Sequence, residues 1–176
     1  QNHVWFMNGT SKIGTANMES VSGTAWKMIA VADMNGDGKP DIIWRHPAAG
    51  QNHVWFMNGT TKTGTANMDW VYGRDWKMIT VADMNGDGKP DVIWRNTATG
   101  QNHVWYMDGT SKTGTADMPY VAGTEWRMVA VADINRDGKN DIIWRHANTG
   151  QNHVWYMDGV SRIGTADFEW VTPVGR

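Results

Sequence analysis

An all-β fold is predicted, made of β-propeller-type blades of four antiparallel strands, and three observations predict it. Gln-Asn-His-Val-Trp begins at residues 1, 51, 101 and 151, a period of 50 without insertion or deletion, so the 176 residues hold about three and a half repeats. Each repeat contains four short β-branched or aromatic runs separated by turn signals. Those runs are apolar on both faces, as in Ile42-Ile43-Trp44 and Val54-Trp55-Phe56-Met57, so each sheet must be covered on both sides. Like sheets stacked face to face around an axis meet that demand, and a linear β-solenoid, with shorter and regularly spaced turns, meets it less well. The 12 Trp suit wide, flat contacts between sheets, where each ring buries roughly 150–250 Å².

Taken in order, one repeat reads as follows. Lys27 to Ala32 forms a first strand, and residues 33–41 form a polar loop. Asp41 to Arg45 is the second strand, and Pro47-Ala48-Ala49-Gly50 turns the chain into a third, Asn52 to Met57. Asn58-Gly59, like Asp108-Gly109 and Asp158-Gly159, signals a tight hairpin turn into a fourth strand near Lys62 to Met68. Val71-Tyr72-Gly73 then leads to the next unit. In this phase residues 1–20 are half a blade, and whole blades cover about 26–70, 76–120 and 126–170, all within one repeat domain. Three and a half blades do not close a ring of the usual ~4–8. The exposed sheet faces predict a homo-oligomer that closes the ring, or a segment of a longer ring.

The polar loop carries the clearest chemistry. Asp33-Met34-Asn35-Gly36-Asp37-Gly38-Lys39-Pro40-Asp41 recurs at 83–91 and, altered, at 133–141. Oxygen side chains stand at the first, third, fifth and ninth places and glycine at the sixth. A hard cation such as calcium takes six to eight oxygens at about 2.3–2.6 Å from a tightly wrapped loop. Asp33, Asn35, Asp37 and Asp41 offer side-chain oxygens and Lys39 a backbone carbonyl. Their counterparts are Asp83, Asn85, Asp87, Lys89 and Asp91, then Asp133, Asn135, Asp137, Lys139 and Asp141. The twelfth place is Trp44, Trp94 or Trp144 where an EF-hand has Glu, and the flanks are strands, so an EF-hand is excluded. The competing reading is a metal-free turn in which Asp side chains accept from backbone amides.

Composition removes several functions. A net charge of −2 without a basic run gives no nucleic-acid footprint, and nine of the 18 acidic residues sit in the three loops. Zero Cys excludes disulfides, zinc-thiolate sites and thiol catalysis. No apolar run approaches the ~18 residues that insert across a membrane. The chain opens on Gln rather than Met, which reads as a mature or excised stretch.

Trp26 to Arg45, Trp-x-Met-Ile-Ala-Val-Ala-Asp-Met-Asn-Gly-Asp-Gly-Lys-Pro-Asp-Ile-Ile-Trp-Arg, resembles the FG-GAP/VCBS repeat of bacterial secreted proteins and integrin-like propellers. The continuation Asn-His-Val-Trp-Phe-Met-Asn-Gly is similar to it as well, so the resemblance covers nearly the whole chain. It implies a propeller blade with calcium between the first and second strands, a secreted location, and, in lectin members, sugar sites between blades. Arg136 and Asn140 depart from the pattern, replacing glycine and proline; the ligand positions survive, beside an added positive charge.

The remaining candidates are aromatic and amide residues. His3, His53, His103 and His153 read as inter-blade core, Arg45, Arg95 and Arg145 as partners of carbonyls, and Trp5, Trp26 and Trp44 with their repeat mates as core. Trp70, Tyr72, Tyr120 and Trp170 vary between units, and variation outside a constant frame marks a binding surface. Trp70, Tyr72 and Tyr120, with His46, Gln51, Asn52 and Asn96, fall on the face opposite the loops, where aromatic rings beside amides suit a sugar. No nucleophile–base set or phosphate loop stands out, so an enzyme is not expected. The expected protein is secreted, calcium-stabilised, and binds glycans at inter-blade sites. The alternatives are a scaffold, natural or engineered, with calcium as its only ligand, and an accessory domain of a secreted hydrolase.

Overall fold

The computed structural model describes residues 1–169 and is entirely strands and turns. A two-stranded sheet comes first, from β1 (Asn2–Asn8) and β2 (Ser11–Met18). Three four-stranded antiparallel meanders follow. The first is β3 (Lys27–Ala32), β4 (Asp41–His46), β5 (Gln51–Asn58) and β6 (Thr61–Met68). The second is β7 (Trp76–Ala82), β8 (Asp91–Asn96), β9 (Asn102–Asp108) and β10 (Ser111–Met118). The third is β11 (Trp126–Ala132), β12 (Asp141–His146), β13 (Asn152–Asp158) and β14 (Ser161–Phe168). Each pairs in chain order, and β1 and β2 repeat the register of β5 and β6, with Trp5 opposite Thr15 as Trp55 is opposite Thr65.

The sheets stack as propeller-like blades. Their first strands approach one another, β3 with β7 and β7 with β11, while the outer strands diverge. A bulge at Ile29, Ile79 and Val129 interrupts pairing between first and second strands, and a second lies between third and fourth. Bulges of this kind increase local twist, as splayed blades require.

Between sheets lie apolar cores of constant composition. Ile43, Val54, Met34 and Met68 of one sheet meet Trp94, Trp105 and Met107 of the next. One repeat later Ile93, Val104, Met84 and Met118 meet Trp144, Trp155 and Met157. Met18 and Val21 cover Ile42, Trp44, Trp55 and Met57 in the same manner. Both faces of β4 and β8 are thereby covered, which explains why these strands do not alternate; β12 is covered on the Ile142–Trp144 face, and its Ile143 is only partly buried. Trp5 departs from its expected core place: it is 62% exposed, against 6% for Trp55 and 5% for Trp155, because no sheet among the described residues packs on its face. Trp170 lies outside the described residues.

Buried arginines fasten neighbouring sheets. Arg45, 1% exposed, donates from Nη1 to Asn52 Oδ1 (2.8 Å) and from Nη2 to the carbonyls of Val71 (3.0 Å) and Trp76 (3.3 Å) where the chain crosses over. Its guanidinium lies 4.7 Å from the Trp94 ring centre, and Arg95 repeats the arrangement over Trp144 at 4.8 Å. Burial lowers the pKa of both guanidiniums, and carbonyls with a ring face compensate the charge instead of a carboxylate. Gly50 and Gly100 allow this closeness. A Cβ there would stand 2.7 Å from the Val71 oxygen and 2.2 Å from the Val121 oxygen, and both glycines have positive φ.

Candidate metal loops and inter-sheet clefts

The nine-residue loops all lie at one end of the stack, together with the hairpin turns after the third strands. In the first loop Asp33 accepts from the amides of Gly36 (2.7 Å), Asp37 (3.2 Å) and Gly38 (2.7 Å). Asn35 Oδ1 accepts from the Asp37 amide at 3.0 Å, and Asp37 from the Lys39 amide at 2.9 Å. Burial raises the Asp33 pKa, but the amides of Gly38, Gly36, Asp37 and Asn35 together outweigh it and the net shift is downward. The second loop repeats these bonds through Asp83, Asn85, Asp87 and Lys89, except the one from the Asp37 amide to Asp33.

Asp41 stands apart. It is fully buried, and its two oxygens accept from the amides of Met34 (3.0 Å) and Met57 (2.9 Å), tying the loop to β5. Asp91 and Asp141 do the same. Burial pushes the Asp91 carboxyl up, against those two amides, and the carboxylates of Asp87 and Asp83 push it further. No cationic side chain among the described residues pairs with these three carboxylates; Lys89 and Lys139 reach outward to Asp108 and Asp158, each at 2.9 Å.

The loops fit a hard divalent ion in donor chemistry: carboxylates, an amide oxygen and a carbonyl, all oxygen, beside a buried charge that lacks a cation. In the geometry described, Asp33 and Asp37 turn their oxygens to loop amides. Among the described residues no three His, Cys, Asp or Glu side chains stand as a ready cluster. The third loop differs. Arg136 adopts a φ of 65°, the left-handed region where its counterparts are Gly36 and Gly86. Asp133 accepts from Asp137 (3.1 Å) and Gly138 (3.0 Å), and the bond that Gly36 gives Asp33 has no counterpart there among the described residues. Asn140 donates to the Asp83 carbonyl at 2.7 Å, linking two loops where Pro40 and Pro90 cannot.

At the opposite end a cleft recurs between sheets. Ser20, Val21, Ser22, Trp26, Trp44, His53 and Trp55 line one of about 250 Å³. A hundred residues on, Tyr120, Val121, Ala122, Trp126, Trp144, His153 and Trp155 line another of about 290 Å³. Position matches position in all seven places. The floor is aromatic: Trp44 meets Trp55 with ring centres at 5.0 Å, and Trp26 lies 6.0 Å from His53. His53 Nδ1 bonds Asn67 Oδ1 at 2.8 Å and His153 Nδ1 bonds Asp167 at 2.6 Å. Since both partner oxygens accept, Nδ1 carries the proton. Nε2 bonds no described protein atom and faces the cleft as a polar ring nitrogen. The indole N–H groups of Trp44, Trp94 and Trp144 are buried without an acceptor.

The predicted sugar residues distribute unevenly. Tyr120 lines a cleft; Trp70 and Tyr72 are 48% and 71% exposed, with ring centres 5.9 Å apart on the crossover between β6 and β7, and line neither cleft. Gln51 is half-buried at the same end. His46 and Asn96 are spent on their turns, His46 Nδ1 accepting from Ala49 (3.1 Å) and Asn96 Oδ1 from Ala98 and Thr99 (both 3.0 Å). Asn52 is fully buried between Arg45 and the Asp69 carbonyl, so its amide is internal. Conversely, Trp26, Trp44, His53 and Trp55, assigned to the core from sequence, also line the cleft. Their apolar neighbours hid that double role.

The family described as FG-GAP-like repeat matches residues 33–94 and again 83–144, more than half of the chain. No curated protein matches. Among solved structures the chain is similar to a selenomethionine-substituted virginiamycin B lyase from Staphylococcus aureus. The identity is 10%, the TM-score 0.46, and the match covers 82% of this chain and 42% of that one. The chain thus spans less than half the length of that lyase.

Proposed function

This chain belongs to the FG-GAP-like repeat family, and on that footing we propose that it is a calcium-stabilised protein that binds carbohydrate in the clefts between its sheets. The observation that carries the reading is the cleft itself, aromatic-floored and repeated position for position a hundred residues apart. A pyranose presents an apolar C–H face to Trp26 or Trp126 and its hydroxyls to the Nε2 atoms of His53 and His153. The crossover residues Ser20 and Tyr120 set the rims of the two clefts, and Trp70 stands exposed on the crossover between them. Each cleft binds weakly, and several together gain avidity when one glycan surface engages them at once. The role is binding rather than turnover.

Calcium belongs to the other end. Asp33, Asn35, Asp37, Asp41 and the Lys39 carbonyl would hold it, as would their counterparts at 83–91 and 133–141; bound, it supplies the positive charge that Asp41, Asp91 and Asp141 lack. Affinities of ~10⁻⁴–10⁻³ M suit an extracellular module, so the reading includes secretion. Glycan-array binding followed by calorimetry on the hits, each with calcium and with EDTA, is the test. Saturable binding weakened in Trp126→Ala and lost in the Trp26→Ala/Trp126→Ala double variant, with the fold intact, supports the reading. A folded, calcium-loaded protein that binds no glycan at high concentration leaves a scaffold with calcium as its only ligand.

A further inference from the structure

The two outer faces of the stack are the two halves of an interface that the chain already makes internally. On the first sheet Trp5 is 62% and Met7 48% exposed, whereas Trp105 and Met107, at the same repeat positions, are 7% and 1% exposed. What covers Trp105 and Met107 is Met34, Ile43, Val54 and Met68. On the last sheet those positions are Ile134, Ile143, Val154 and Phe168, of which Val154 is buried and Ile143 partly buried. Ile134 is 36% and Phe168 37% exposed, against 3% for Met84 and 5% for Met118.

We propose that this 176-residue chain associates head to tail, the Trp5–Met7 face of one copy seated on the Ile134–Phe168 face of a second. Complementarity is shown by the two internal copies of the same contact, and the residues exchanged at the ends remain apolar and of similar volume. The contact is heterologous, so it closes into a ring if the rotation permits and otherwise extends. It is weaker than its internal models. The first sheet has no counterpart of Trp94, and Met28 and Val31, 42% and 57% exposed, keep their outer side uncovered.

Sedimentation velocity over a concentration series, with and without calcium, tests this on three proteins. The parent chain is expected to associate reversibly, and Trp5→Glu and Phe168→Glu to be monomeric each alone. An equimolar mixture of the two variants should form a dimer and stop there, because each supplies one intact face. Near-UV circular dichroism checks that both variants keep the parental fold, and Met7→Glu and Ile134→Lys replace either one that does not. A parent chain monomeric at all concentrations overturns the proposal. So does loss of association in Trp5→Glu with none in Phe168→Glu, which would mark a symmetric contact of first sheets.

Discussion

The two ends of each sheet follow opposite rules. At the loop end the first two repeats are identical from Asp33 to Asp41 and from Asp83 to Asp91, and Asp33, Asn35 and Asp37 with their counterparts bond amides of their own loop. At the cleft end a constant frame of Trp and His carries crossover residues that change from Ser20 to Trp70 to Tyr120 and from Ser22 to Tyr72 to Ala122, the first and last of each set lining a cleft. One end is built to hold the hairpin and leaves a buried charge to be answered. The other has its packing settled beneath the surface, so its rim is free to differ. Stability should therefore respond to changes at the loops, and ligand preference to changes at the rim.

The largest effect expected is from chelation. With ~10 mM calcium and dissociation constants of ~10⁻⁴–10⁻³ M, each loop contributes about 1.4–2.7 kcal/mol, so EDTA should lower the melting temperature markedly; an unchanged melting curve breaks the contrast. Next is Asp91→Leu, which leaves the Met84 and Met107 amides buried without an acceptor. Urea denaturation in EDTA should show a loss of about 2–6 kcal/mol, separating the carboxylate's own role from that of metal. Arg45→Met removes the bonds to the Val71 and Trp76 carbonyls and should cost about 2–4 kcal/mol in the same assay. Arg136→Gly should instead stabilise the protein by about 0.5–1 kcal/mol by releasing a left-handed residue, and should raise calcium affinity of the third loop by calorimetry. Trp70→Ser and Tyr72→Ser should move stability by less than about 0.5 kcal/mol while altering glycan binding. A rim change that unfolds the protein would erase the distinction.

Much of the fold was legible because the repeat states it several times. Four strands per unit follow from the spacing of turn signals, and their two-sided burial from unbroken runs such as Ile42-Ile43-Trp44. Trp5 was misplaced because burial belongs to the neighbouring sheet, and the sequence around Trp5 is the same as around Trp55. The loops were legible as donor sets, yet the orientation of Asp33 toward Gly36 and Gly38 depends on a backbone path that residue spacing leaves open. Asn52 looked like a surface amide, because its partner Arg45 is seven residues away and the Asp69 carbonyl 17. The clefts were hidden for a related reason: Trp44 and His53 serve packing and lining at once, and only the gap between two sheets distinguishes the roles.

Arg45 and Arg95 each grip the strand crossing that begins the following sheet, so a sheet is fully fastened only after its successor has arrived. Such a stack should assemble in order during synthesis, every new unit locking the one before it. Pulled by its tail in an optical trap, it should yield one repeat at a time, in a sawtooth whose steps count the sheets.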